Sequence, residues 1–170
     1  MPAPVFATGD VPSADQVNKW FVNVTFARKT ATESVSGSTA LQDDDHLFVT
    51  VDASTVYELT AVLRYDGDAA GDLQIGWTVP AGATLDYWGS GLTVTGANYS
   101  DDQNGAFDLT TSVVAFGAIG VGTTCTVRLG GLLVTAGTAG TVRLRWAQRT
   151  AFATATRLFT NSFVSLRRVG

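Results

Sequence analysis

The stretch Val56-Tyr57-Glu58-Leu59-Thr60-Ala61-Val62-Leu63-Arg64-Tyr65 decides the fold class. Tyr57, Leu59, Ala61, Leu63 and Tyr65 recur at every second position, with Glu58, Thr60 and Arg64 between them. A period of two sends the two sets to opposite sides of an extended chain, as in a strand with one face buried. Working outward, the same alternation returns in Leu47, Val49 and Val51, and again in Leu73, Ile75, Trp77 and Val79. Downstream it recurs in Cys125, Val127 and Leu129, then in Val142, Leu144 and Trp146. Turn residues separate these runs at 66–68, 80–82, 101–105, 120–122 and 136–140. Such spacing predicts an all-β protein, an antiparallel β-sandwich of jelly-roll type with roughly eight strands.

Three segments break the alternation by being apolar on both sides: Val113-Val114-Ala115-Phe116, Leu132-Leu133-Val134 and Phe163-Val164. Strands of this kind are covered twice, once by the sandwich core and once by something else. The composition points the same way. Of 170 residues only 15% are charged while 45% are hydrophobic, and mean hydropathy is +0.17. An average soluble domain carries roughly 25% charged residues. Disorder is disfavoured, and a subunit that hides surface in an assembly is expected. We expect a homotrimer, with Phe116, Leu133, Phe163 and Leu166 as candidate interface residues.

The first dozen residues, MPAPVFATGDVP, hold three of the four prolines and read as an extended arm. Ser13-Ala14-Asp15-Gln16 then forms a capping box, and Val17, Trp20, Phe21 and Val24 follow at helical spacing. One short helix is predicted over residues 13–22. The chain therefore divides into an attachment segment, 1–24, and a sandwich domain, 25–170. Pro4, Val5, Phe6, Val11 and Pro12 are the arm residues expected to dock onto another protein or a neighbouring subunit. The alternative is that the arm folds back on its own sandwich.

Several chemistries are disfavoured. A pI near 4.7, with 11 Lys and Arg against 15 Asp and Glu, argues against a nucleic-acid partner. Residues 109–127 are uncharged, but their apolar part, 113–121, is too short to cross a bilayer, so no membrane insertion is expected. No basic segment followed by an apolar one opens the chain, so no secretory signal is expected. A lone cysteine, Cys125, mid-strand in an apolar alternation, reads as an inert buried thiol. Asp43-Asp44-Asp45-His46 offers metal-ligating groups but reads as a solvated turn before the strand at Leu47. Asp66-Gly67-Asp68-Ala69-Ala70-Gly71-Asp72 has Ala70 and Trp77 where a helix–loop–helix calcium site needs ligands, so it reads as a hairpin loop. A serine triad would have to use His46, the single histidine, and no nucleophile-elbow motif exists. Glycine runs at 117–122 and 130–131 lack the lysine of a phosphate loop. No cofactor, no metal and no catalytic activity are expected. Tyr87, Trp88 and Tyr99 lie in a Gly/Asp/Ser-rich region and are candidates for stacking on a glycan.

The opening Phe6-Ala7-Thr8-Gly9-Asp10-Val11-Pro12-Ser13-Ala14-Asp15-Gln16-Val17-Asn18 is similar to the start of virion proteins of tailed phages that infect actinobacteria. The remainder resembles phage-encoded jelly rolls related to the C1q and tumour-necrosis-factor domains, in the strand 57–65, the strand 142–148 and the closing strand 161–169. The resemblance implies a homotrimeric, non-enzymatic virion protein at the particle surface, assembled in the host cytoplasm. The partner would be the major capsid protein or a tail protein. Two roles follow from it: a capsid decoration or head-fibre protein, or a tail-fibre module that recognises host surface glycans.

Overall fold

The computed structural model describes residues 7–14, 17, 24–94, 96–97, 102–107 and 112–170, with the strand at 102–107 given by its backbone. Among the described residues there are twelve strands: β1 Val24–Arg28, β2 Glu33–Val35, β3 Gln42–Val51, β4 Val56–Gly67, β5 Leu73–Thr78, β6 Thr84–Leu92, β7 Asp102–Phe107, β8 Val114–Phe116, β9 Gly120–Val134, β10 Gly140–Ala147, β11 Thr156–Leu158 and β12 Phe163–Arg168. They form two antiparallel sheets. The larger runs β1-β12-β4-β9-β6-β7, with β2 and β11 paired at its side, and the smaller runs β3-β10-β5-β8. The protein is a jelly-roll β-sandwich, as the alternation predicts.

Alternation sets the core. Leu59, Ala61, Leu63 and Tyr65 of β4 and Val127 and Leu129 of β9 face Leu47, Ile75, Leu144 and Trp146 of the smaller sheet, all buried. Burying each large apolar side chain contributes roughly 1.5–3 kcal/mol, so the core is the main source of stability. Two buried hydroxyls in the core are satisfied by backbone: Tyr65 Oη donates to the Gly117 carbonyl and Tyr87 Oη to that of Ser112 at 3.1 Å. Burial raises both phenols, Tyr87 to about 12, so they stay protonated donors.

Three local readings are corrected. Residues 101–105 are not simply a turn: β7 begins at Asp102 and forms a hairpin with β6, in register from Tyr87–Phe107 to Leu92–Asp102. That hairpin enlarges the main sheet by one strand. Asp43-Asp44-Asp45-His46 is not a solvated turn but part of β3. The pairing with β10 passes from Arg143–Phe48 to Arg145–Asp43, so five steps along β3 match two along β10. This bulge turns Asp44 inward, where it is fully buried. Asp66-Gly67 likewise belongs to β4, and only residues after it turn, through Gly71 N and Asp72 N donating to the Asp68 carbonyl. The Pro80-Ala81-Gly82 turn stands as read, closed by Ala83 N to Pro80 O at 3.0 Å, with Gly82 at φ +75.

At the N-terminus, residues 7–10 form a tight turn closed by Asp10 N to Ala7 O and by Ala7 N to the Asp10 carboxylate. Ala14 and Val17 are helical, and Val17 N donates to Ser13 O at 2.9 Å. Gln16, Trp20 and Phe21 of the predicted helix lie outside the described residues.

Candidate functional site

The two outer faces of the sandwich differ in kind. On the smaller sheet, Arg143 lies over the Phe48 ring at 4.5 Å, and Arg143 and Arg145 both reach Asp43, giving a polar surface. On the larger sheet, the exposed large hydrophobic residues include Val24, Phe26, Trp88, Leu132 and Val134. Register explains this face. Phe26, Ser165, Thr60, Gly130 and Trp88 lie in one row across β1, β12, β4, β9 and β6. Small residues thus occupy the middle and aromatic rings the two ends, separated by four strand spacings or roughly 19 Å.

At one end Phe26 and Phe163 stack with ring centroids 5.5 Å apart, and Phe26 is 58% exposed. At the other, the Trp88 indole lies across Gly130. A methyl group on Gly130 would fall 2.3 Å from Trp88 Cζ2, so only glycine lets the ring lie against the strand. Trp88 is nonetheless 52% exposed. A concavity of about 710 Å³ opens beside it, floored by β9 and walled by β4 and β6. Between the two aromatic ends, Arg167 donates from Nε to Glu58 Oε2 at 2.8 Å and again through Nη2. The face is therefore two apolar patches with a polar strip between them.

Phe163 flanks the outer face, partly buried against Phe26. Phe116, Leu133 and Leu166 are corrected: each is fully buried in the sandwich core and cannot line a subunit contact. In each doubly apolar segment one phase packs the core and the other surfaces, so Leu132 and Val134, not Leu133, meet the outside. Tyr87 is also corrected as a glycan contact, because it points inward, edge-on to Trp77 at 6.4 Å. Val11 and Pro12 are exposed, while Pro4, Val5, Phe6 and Tyr99 lie outside the described residues. Sequence reading missed Phe26 and Gly130. Phe26 carried a signal, since Val24 and Phe26 alternate with Thr25 and Ala27, whereas Gly130 gains its meaning only from the strand beside it.

The carboxylate clusters are structural. Glu33, Asp44 and His46 bring potential ligand atoms within 4.8 Å of one another. The Lys29 ammonium, however, lies 2.6 Å from both Glu33 Oε1 and Asp44 Oδ2, where a cation would sit. Asp44 also accepts from the backbone N–H of His46 and Leu47 and from Trp146 Nε1. Lys29 follows β1 in the larger sheet and Trp146 belongs to the smaller, so the cluster pins the sheets together. Lys29 is thus the counter-charge that the structure itself sets between the two carboxylates. Cys125 is buried and its thiol is pushed up by burial first, with the Asp66 and Asp72 charges adding to it.

Asp66 sets an acid dependence. Burial alone would raise its carboxyl, but Arg157 donates to both oxygens and Gly122 N–H donates at 2.6 Å, holding it below the ordinary range. A lowered native value stabilises the fold above the unfolded Asp value of about 3.9, and that stabilisation is lost as pH falls through the native value. Asp72 has the opposite sign: burial outweighs the Ala118 N–H and Arg149, so its carboxyl is raised and its neutral form is favoured in the fold. Urea unfolding at pH 7 and pH 3 should therefore show a smaller acid loss for Asp66→Asn than for the parent protein. Equal pH dependence in the two would remove Asp66 from this role.

No protein-family model matches the sequence, and a search of curated proteins finds no match. Among solved structures the chain is similar to the tripod (BppUct-A-L) from the baseplate of bacteriophage Tuc2009, at 14% identity and TM-score 0.34, over 99% of this chain and 75% of that one. It is similar to the Eiger TNF from S. frugiperda, at 14% identity and TM-score 0.41, over 86% of this chain and 92% of that one. A third likeness is to the CBM22-1-GH10 modules of the Clostridium thermocellum xylanase Xyn10B, at 9% identity and TM-score 0.32, over 84% of this chain and 28% of that one. Among the described residues no helix is long and apolar enough to cross a membrane.

Proposed function

We propose that the chain is a non-enzymatic structural protein of a phage virion, a homotrimer displayed on the particle exterior as a capsid decoration or head-fibre protein. The observation that carries the assembly is the exposed Phe26 ring, stacked on the half-buried Phe163 and beside the exposed Val24 on the larger sheet. A water-facing aromatic patch on a chain this poor in charge is an association surface, and each ring gains roughly 1.5–3 kcal/mol when fully covered. The opposite sheet, with its Arg143, Arg145 and Asp43 ion pairs, is suited to solvent. The virion assignment is supported by the likeness of residues 6–18 to phage virion proteins, and the arm, with Val11 and Pro12 exposed, is the segment that meets the capsid or tail protein.

Light scattering tests the assembly. The parent protein is expected as a trimer and Phe163→Glu, which buries a charge in the contact, as a monomer of unchanged fold. In a particle-binding assay, deletion of residues 2–12 is expected to leave the trimer intact but unable to join virions. A parent protein that is monomeric at micromolar concentration sinks the trimer; unchanged particle occupancy after the deletion sinks the docking arm.

A further inference from the structure

The concavity beside Trp88 has a chemistry of its own, apart from the Phe26–Phe163 patch. We propose that it is a binding site for an uncharged oligosaccharide, stacked on Trp88 and held at its edges by side chains of β4, β6 and β9. A pyranose ring presents an apolar C–H side and a rim of hydroxyls, so it needs a flat aromatic surface and polar groups placed around it. Both are present. The indole is held against the sheet by Gly130 and left half exposed. Thr60 and Thr126 bring hydroxyls to the lining, and Glu58, Asp86 and Arg128 bring charged acceptors and donors to its edges. The concavity, about 710 Å³, falls within the roughly 300–1,000 Å³ range of small-molecule sites.

Charge selects the ligand class. Of the charged lining residues, Glu58 and Asp86 are carboxylates and Arg128 a guanidinium, and Arg167, outside the lining, is paired with Glu58. A polyanion would meet Glu58 and Asp86 and a polycation Arg128, each unfavourably, whereas a neutral sugar can use either kind as a hydrogen-bonding partner. Charged edges also distinguish this end of the face from the Phe26–Phe163 end: an apolar contact with a second copy would have to desolvate Asp86 and Arg128.

Isothermal titration of the full chain with cellohexaose, chitohexaose and maltohexaose tests the site. At least one should bind, and Trp88→Ala should weaken that binding roughly tenfold or more, a loss of about 1.4 kcal/mol per factor of ten. Gly130→Ala should do the same while keeping the tryptophan, because the new methyl would displace the indole. Unchanged circular dichroism and urea midpoints show that both variants fold. Phe163→Glu should leave sugar affinity unaltered, which separates this site from the proposed subunit contact. The site is overturned if none of the three sugars binds, or if Trp88→Ala binds as well as the parent. It is equally overturned if Trp88→Ala dissociates an assembled protein, since the groove would then be a contact between copies.

Discussion

Replacement of Lys29 by methionine is expected to destabilise the fold by about 3–5 kcal/mol, a large share of the 5–15 kcal/mol that holds a typical domain folded. Lys29 and Asp44 are both fully buried and 2.6 Å apart. Without the ammonium, Asp44 keeps its three hydrogen-bond donors, His46 N, Leu47 N and Trp146 Nε1, but no compensating charge in an interior that solvates it poorly. Asp44→Asn should be costly for the converse reason, leaving Lys29 with only the Glu33 carboxylate. The double variant Lys29→Met/Asp44→Asn should cost clearly less than the two single losses added together, because the lone charge has been removed. Urea midpoints read all three. A loss near 1 kcal/mol for Lys29→Met, the size of a surface pair, would show that water reaches the cluster in solution.

The second large effect separates core from surface within one strand. Leu166→Ala is expected to cost about 2–5 kcal/mol, as for a large buried side chain cut to alanine, and Phe116→Ala about 3–5 kcal/mol. Both side chains are fully buried in the sandwich. Phe163→Ala, on the outer face of the same β12, should lower the stability of an isolated chain much less and act on assembly. A Leu166→Ala protein as stable as the parent but monomeric would return Leu166 to the subunit contact and reverse the packing described for β12.

The corrected residues show why a sequence stops short. In Leu132-Leu133-Val134 all three are apolar, so alternation requires that one phase face outward without saying which. Leu133 is inward because β9 pairs through Leu133–Tyr57 and Leu133–Leu85, whose side chains are both buried. Phase across the sheet is a property of register, and register belongs to the partner strands. Tyr87 and Trp88 make the same point from adjacent positions. Both were glycan candidates on residue type, and the pleat sends Tyr87 to the core and Trp88 to the surface. The acidic run 43–46 was misread for a different reason. Its polarity suits a turn, and the bulge that carries Asp44 inward arises where β10 crosses it, with Lys29 and Trp146 waiting from distant parts of the chain.

What the sequence determined by itself is whatever depends on near neighbours along the chain. The period-two runs at 47–51, 57–65, 73–79, 125–129 and 142–146 could only be strands with one buried face, and the Pro80-Ala81-Gly82 turn followed from its residues. What the tertiary structure alone decided is whatever depends on pairing between distant segments. Strand order brought Phe26 beside Phe163, 137 positions away by subtraction of their numbers, and set Trp88 on Gly130. It also closed an ion cluster from Lys29, Glu33, Asp44 and Trp146. A side chain's direction is written locally by the pleat, but the neighbour it meets is chosen by the sheet.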